Sequence, residues 1–461
     1  MKKGAALILA AMMLCTTACS SGSGKESATA SPKTDTQTTA GTEAAGEEKA
    51  ETGGETAENT EQKLSGHIEY WSSWGETESQ ARVLQKAAEE FMELNPDVTI
   101  NFTFNGRDNR NLLVSAMQAG TEIDMMDANW DNCVALWSDY IADLTDYYYQ
   151  PYPTTDGKNY IDCVMDAYSG LIADANDGRY KGVAYIPQAF MIFCNKDIFE
   201  ACNITSYPQT WEELMEDCQI IKDAGYIPVT DEDQREWAWY SYYLQRKAGA
   251  EAADALAYDS SLWKEGSEYY DAVKEAAEAI EYMAEKGYFD PNVASNVNPT
   301  AQQNMVINGD IAMYINGTWL PNETSASNED FNWGAFAFPE VKDGVDGREA
   351  TAYGTYAICV NKECSKEETD AAFAFAVFLT TGKYDEMFRD ETKSIPMGVD
   401  AQWPEALAEA KEVLMGTSKR YMAQLNLKLN GDSSAIIGDA CMGLESGRLT
   451  AEEFIKEAGG F

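Results

Sequence analysis

The sequence predicts an α/β fold of two lobes, each a mostly parallel sheet flanked by helices, joined by strands that cross between them. Strand and helix patterns alternate from His67 to Tyr140, the signature of a parallel sheet covered on both faces. Two long extended segments, Arg179 to Asn195 and Thr351 to Val360, interrupt the alternation where a connection between lobes would pass. The part of the chain beyond the first aromatic cluster is roughly 400 residues, enough for two or more lobes of ordinary size.

The chain opens with Lys2 and Lys3, an apolar run from Ala5 to Leu14, and small residues Thr16 to Ala18 before Cys19. A charged start, a short apolar core and a small-residue cleavage point make a secretory signal. The run falls short of the ~20 residues that a spanning helix needs. A cysteine directly after the cleavage point resembles a bacterial lipobox. That resemblance implies a lipoprotein signal peptide over 1–19, a lipidated Cys19, and a membrane anchor on the extracellular face of the cell. Thr16 stands where a lipobox usually carries Leu, and a plain secreted protein with an incidental cysteine is the alternative. Residues 20–64 contain no Trp, Tyr or Phe. Such a stretch cannot bury enough apolar surface to offset its ordering entropy, so it reads as a disordered acidic linker.

Order is expected from near Gly66. His67 to Trp71 reads as a strand, and Glu78 to Leu94 carries apolar residues at helical spacing (Ala81, Leu84, Ala87, Ala88, Phe91, Leu94). Asn95 and Pro96 end that helix. Val98 to Phe104 alternates as a strand; Asn109 to Ala119 is helical and stops at Gly120. Ile123 to Asp127 reads as a strand and Asn132 to Tyr140 as a helix. After the first crossing, helices are expected at Asp197–Ala201, Thr210–Ala224, Glu236–Lys247, Ser267–Lys286 and Ala301–Asn308. Strands return at Ile311–Ile315 and Trp333–Phe336, then comes the second crossing. The chain ends on a helix, Ala451–Ala458, capped by Thr450. No internal repeat is visible.

Net charge is −43, from 77 acidic and 34 basic residues. A nucleic-acid binder needs a basic footprint, and this surface repels phosphate backbones and anionic lipid. The acidity fits a solubility trait; it disfavours anionic ligands and leaves cationic ones open. Apart from Cys15 and Cys19, eight cysteines remain, with no zinc spacing and no C-x-x-C. Cys133, Cys163, Cys194, Cys218, Cys359 and Cys441 read as small buried hydrophobes. Cys194 with Cys202, or Cys359 with Cys364, are the pairs that could bridge in an oxidising compartment. No cofactor and no metal site are expected.

Five blocks carry a resemblance. Phe91-Met92-Glu93-Leu94-Asn95-Pro96 is similar to an "F-x-x-x-x-P" helix end. Lys181 to Pro187 resembles a "G-x-x-Y-x-(I/L)-P" hinge strand, and Asn195 to Phe199 an "N-K-D-L-F" block. Pro208 to Leu214 is similar to "P-K-T-W-D-E-L", and Gly309 to Trp319 to "G-x-A-A-M-x-x-x-G-x-W". Together, in this order, they resemble the extracellular solute-binding proteins of ABC importers, specifically the carbohydrate-binding family related to maltose-binding protein. The resemblance implies the type II periplasmic-binding-protein-like fold, with ligand held in the cleft between two lobes. The N-terminal lobe would then be 65–187 plus 353–394, and the C-terminal lobe 188–352 plus 395–461. It implies a small-molecule carbohydrate and the importer's membrane subunits as partners, and a monomer.

A sugar ring presents C–H faces and a hydroxyl rim, so its site needs aromatic platforms with carboxylate or amide partners. The candidates are Trp74 and Glu76 after the first strand, and Asn129, Trp130 and Asp131 at the carboxyl end of the third. Trp74 capping the sheet and Asp131 capping the next helix are the plain structural readings. Asp131 falls where maltose-binding relatives place a sugar-bonding acid, and Gln188 where the family often carries an acidic ligand. Trp237 and Trp239 cluster at a helix start with Tyr240, and cannot both face inward on one helix. The resemblance implies that Trp319 stacks on the ligand. Tyr353, Gly354 and Tyr356 begin the second crossing, and Gly354 would allow close backbone approach. The family's C-terminal aromatic has no clear counterpart; Asp432, Ser433 and Ser434 stand there.

These groups suit binding with hinge closure. The rivals are an extracellular glycoside hydrolase, whose site acids and aromatics also line, and the same fold holding a cation such as a polyamine. For the first, no catalytic pair stands out. The single histidine, His67, lies on the first strand, and G-x-S-x-G, H-E-x-x-H and P-loop patterns are missing. For the second, Trp74, Glu76, Trp130 and Asp131 would form an aromatic box with acids.

Overall fold

The structure, a computed structural model, describes residues 63–233, 237–421 and 431–461. The expected signal peptide, Cys19 and all but the end of the linker lie outside the described residues, as does the start expected for the helix at Glu236. The strands are β1 (Gly66–Ser72), β2 (Val98–Phe104), β3 (Met125–Asn129), β4 (Val183–Asn195), β5 (Ile227–Thr230), β6 (Ile311–Gly317), β7 (Trp333–Phe336), β8 (Ala350–Val360) and β9 (Lys419–Tyr421). They form one sheet in the order β2-β1-β3-β8-β4-β6-β5, with β7 added to β4 and β9 to β8.

The sheet is parallel away from its middle (β1 with β2 and β3, β5 with β6) and antiparallel where β4 and β8 pair with each other and with β3, β6 and β7; the short β9 joins β8 in parallel. Those two strands are the extended segments read as crossings, and their pairing shows why they are long. The first half of β4 pairs with β8 from Ala352 to Ile358, and its second half pairs with β6 and β7. The far half of β8 pairs with β3, and its start pairs with β9. Each strand therefore belongs to both ends of the sheet. A bulge between Ala184 and Ile186 interrupts the β4–β8 ladder, and β4 passes to β6 from Phe190 on.

Buried apolar side chains form two clusters. One is drawn mainly from 68–193 and 357–414, the other mainly from 192–293 and 437–458. The helices follow their sequence signals. Ser79–Leu94 buries Ala81, Leu84, Ala87, Ala88 and Phe91, and its end is closed by the Asn95 side chain donating to the Phe91 carbonyl at 2.9 Å. Capping boxes open Trp211–Asp223 (Thr210 with Glu213), Lys366–Thr380 (Ser365 with Glu368) and Ala451–Ala458 (Thr450 with Glu453).

Several boundaries differ from the expected ones. The third strand runs two residues further, to Asn129, and the helix after it starts at Trp130. The reason is local: the Asn129 side chain accepts from the Asp131 N–H at 3.1 Å and so caps the helix earlier. Strand β5 is not expected from sequence, since Pro228 interrupts its pattern; it lies at the edge of the sheet, where a missing N–H is tolerated. Helices Thr145–Tyr148, Asp166–Asp174, Ala250–Tyr258, Leu320–Thr324, Lys366–Thr380, Gly382–Thr392 and Ala408–Met415 add to those expected from sequence.

The eight cysteines of the described residues are all unpaired, so neither Cys194–Cys202 nor Cys359–Cys364 is a disulfide here. The Cys364 thiol instead donates to the Asp124 carboxylate at 3.4 Å. Five of the six cysteines read as buried are so; Cys163 is only half-buried. The Asp385 carboxylate accepts from the Met397 and Gly398 N–H groups at 2.7 and 2.9 Å, which fastens the chain after 394 to helix Gly382–Thr392.

Candidate functional site

A groove of about 460 Å³ opens where the carboxyl ends of β1 and β3 meet the crossing strands. Ile186, Pro187 and Gln188 of β4 and Tyr356 of β8 line it from the middle of the sheet. Trp74, Glu78, Arg107 and Asn129 form one wall; Phe190, Asn298, Trp319, Asn322 and Glu323 contribute to the other.

The first wall is built over a buried carboxylate. Asp127, fully buried on β3, accepts from the Ser73 N–H and the Ser72 hydroxyl, both at 2.8 Å. Burial pushes its carboxyl up, while the Ser73 and Ser72 bonds hold it down. These bonds fix the two residues before Trp74. The Trp74 indole N–H donates to the hydroxyl of Tyr185 on β4, and its ring packs on Tyr356 with centroids 4.6 Å apart. The Arg107 guanidinium lies 4.4 Å from the Trp74 ring centroid and forks onto Glu78 at 3.0 and 3.1 Å. Trp74 is thus covered: Tyr356 and Arg107 pack on it and its exposure is 4 %. Toward the groove this wall presents a guanidinium–carboxylate pair rather than a bare indole. Burial also pushes the Tyr356 hydroxyl up, against the nearby Arg107 charge, and so keeps it a neutral donor.

The second wall carries Trp319. Trp319 is half-buried, with Phe190 edge-on at 4.8 Å and 84°. Gly317 makes this possible, because a Cβ there would overlap the Trp319 ring. One turn on, Asn322 and Glu323 face the same groove; the Glu323 carboxylate accepts from Gln302 at 3.0 Å. The Asn298 amide is held by Glu232, a fully buried carboxylate that also accepts from the Tyr314 hydroxyl. The side-chain amides of Gln188 and Asn322 have no intramolecular hydrogen bond among the described residues, which leaves their donors and acceptors for a ligand.

Of the residues singled out from sequence, the groove brings together Trp74, Asn129, Gln188, Trp319 and Tyr356. Glu76 is exposed beyond its rim, and Glu78 takes the place expected for it. Trp130 is fully buried, its ring 3.0 Å from where a Cβ on Gly182 would stand. Asp131 is paired with Arg420 at 2.8 Å. Trp237 and Trp239 are both buried in the second apolar cluster, Trp239 between Phe289 and Phe338, so neither serves as an open platform. Tyr353 packs edge-on to Tyr168, and Gly354 faces Arg420 and Asn129 with room for a Cβ. The proposed box of Trp74, Glu76, Trp130 and Asp131 does not assemble; a cation, Arg107, already occupies the ring it would use. Ser434 is half-buried in helix Gly431–Glu445.

Sequence reasoning passed over Arg107, Glu78, Phe190, Asn298, Asn322 and Glu323. Arg107 follows β2 as Trp74 follows β1, and the same carboxyl-end rule points to it. Asn322 and Glu323 lie at helical spacing from Trp319. Asn298 is brought in from a distant loop and carried no local signal. Asp124, Cys364 and Glu368 place ligand-type atoms within 4.8 Å of one another, but at the opposite end of β3 and already engaged in the bonds described. No described helix is long and apolar enough to cross a membrane.

Comparison with known proteins gives a consistent picture. The model of the family described as bacterial extracellular solute-binding protein matches residues 74–386. A binding protein of Brucella abortus is 26% identical over 205 residues, 42% of this chain and 45% of that one, so the match spans about half of that relative's length. The maltotriose-binding protein of Pyrococcus abyssi is 24% identical over 322 residues, 69% of this chain and 63% of that one. Among solved structures, the solute-binding protein RafE in complex with raffinose superposes with a TM-score of 0.65 at 17% identity, covering 86% of this chain and 98% of that one. The fold is the two-lobed one of such proteins, with β4 and β8 as the strands that cross.

Proposed function

This chain belongs to the bacterial extracellular solute-binding protein family, and we propose that it captures a carbohydrate, an oligosaccharide, in the groove and hands it unaltered to the membrane subunits of an ABC importer. The observation that carries this is the asymmetry of the groove. The Trp319 ring lines the groove as an aromatic surface for sugar C–H groups, while Gln188, Asn129, Asn322 and the Arg107–Glu78 pair offer donors and acceptors for its hydroxyl rim. One similar protein is named for binding maltotriose and another was solved in complex with raffinose, which supports the class of ligand.

In this reading the lobes, 65–187 plus 353–394 and 188–352 plus 395–461, close around the ligand by bending β4 and β8. Closure follows from ligand contacts made on both walls at once, which favour the closed form over the open one. The groove holds and releases; it does not cut. A lipidated Cys19 keeps the protein at the extracellular face of the membrane, and residues 20–64 serve as the leash.

The test is calorimetric titration of residues 63–461 with maltotriose, raffinose, xylo- and chito-oligosaccharides, with spermidine as the cationic rival. Stoichiometric binding of one sugar, and its release intact by chromatography, is the expected result. Scattering on the saturated protein should show compaction. Turnover of the sugar would favour the hydrolase, and binding of spermidine alone would replace the carbohydrate reading.

A further inference from the structure

We propose that Arg420 is a positioning residue that sets the angle between the two walls of the groove, through its ion pair with Asp131 beside the crossing strand. This rests on the two-lobe closure proposed above, but not on the identity of the ligand.

The pair joins elements that no local structure connects. Asp131 lies in the first turn of helix Trp130–Trp137, directly after β3. Arg420 lies on β9, which among the described residues pairs with the start of β8, at Ala350–Ala352. The guanidinium Nη2 meets the Asp131 carboxylate at 2.8 Å, and its Nε donates to the Tyr353 carbonyl at 2.8 Å. One side chain therefore grips the first lobe and the middle of a crossing strand together. Both partners are largely shielded, at 25 % and 17 % side-chain exposure, so the pair is screened less by salt than a surface pair.

Its position makes it sensitive to the hinge. Gly354 of β8 lies beside Arg420 and Asn129: a Cβ there would be 3.8 Å from Arg420 Nη2 and 4.0 Å from Asn129 Nδ2. Rotation about this part of β8 changes the Asp131–Arg420 separation directly. The pair is also connected to the groove, because the Asp131 N–H donates to the Asn129 side chain, which lines it. Ligand that orders the Asn129 amide thereby orders the residue that Arg420 holds. Either site biases the same hinge, and the coupling is reciprocal.

The experiment compares wild type, Arg420→Gln, Asp131→Asn and the exchanged pair Asp131→Arg with Arg420→Asp, all without ligand, by small-angle scattering and melting temperature. The expected result is a larger radius of gyration in each single variant, partial return toward the wild-type value in the exchanged pair, and a melting temperature little changed. In a binding titration with whichever oligosaccharide saturates wild type, the single variants should bind about tenfold more weakly. An unchanged radius of gyration in folded Arg420→Gln would overturn the proposal. So would single variants that lower the melting temperature alone, since that is all a purely structural pair would do. The scattering arm needs no sugar, so a failed carbohydrate screen and a failed Arg420 role are read separately.

Discussion

Trp74 and Trp319 are both tryptophans just past a strand, and the structure gives them opposite roles. Trp74 is roofed by Arg107 and Tyr356, whereas Trp319 keeps a face toward the groove. Trp319→Ala is accordingly expected to weaken oligosaccharide binding by tenfold or more, ~1.4 kcal/mol, in a calorimetric titration. Gly182 shows how close the packing beneath Trp130 is. A Cβ there would press on the indole at 3.0 Å and on the Ile358 carbonyl at 3.3 Å, so Gly182→Ala should cost about 1–3 kcal/mol in a urea denaturation. Asp385 is the residue with a clear pH signature. Burial pushes its carboxyl up from 3.8 to about 6, against the Met397 and Gly398 bonds. Between those values the folded chain holds the proton and the unfolded chain does not. The stability this group contributes is present at the acid end of the window and lost as pH rises through about 6. Wild type should therefore lose stability relative to Asp385→Asn as pH is raised from about 4 to about 6, measured as the difference in their unfolding free energies.

At the scale of elements, sequence signals worked wherever the cause is local. The helix Ser79–Leu94 was legible in its apolar spacing and its Asn95–Pro96 stop, and Thr450 in its capping box. Thr210→Ala breaks the same kind of box at the start of Trp211–Asp223 and should cost about 1 kcal/mol in chemical denaturation. Sugar affinity should be unchanged, because that helix does not line the groove. The local rule failed at β5, where Pro228 hid an edge strand, and at Asn129, where one side-chain bond moved a helix start. That second slip had a consequence for the site. It places Trp130 on the first turn of the helix and into the core, and turns Asp131 to Arg420, more than 280 residues away in sequence.

At the scale of the whole molecule, a net charge of −43 is a standing repulsion among like charges. Raising sodium chloride from about 0.01 to about 0.3 M shortens the screening length severalfold and should raise the melting temperature. The sequence by itself determined the alternating α/β order, the two long crossings and about half of the helices, because these follow from periodicity and capping within a few residues of chain. Position just after a strand or at its carboxyl end also marked Trp74 and Asn129, Tyr356 was marked on the second crossing, and Gln188 and Trp319 were marked by the family resemblance. Only the tertiary structure decided which rings line the groove. It set Arg107 over Trp74, sank Trp237 and Trp239 into the second core, paired Asp131 with Arg420 and brought Asn298 to the groove. Each of these depends on a contact between segments far apart in the chain, and side-chain exposure is fixed by such contacts rather than by neighbours in sequence.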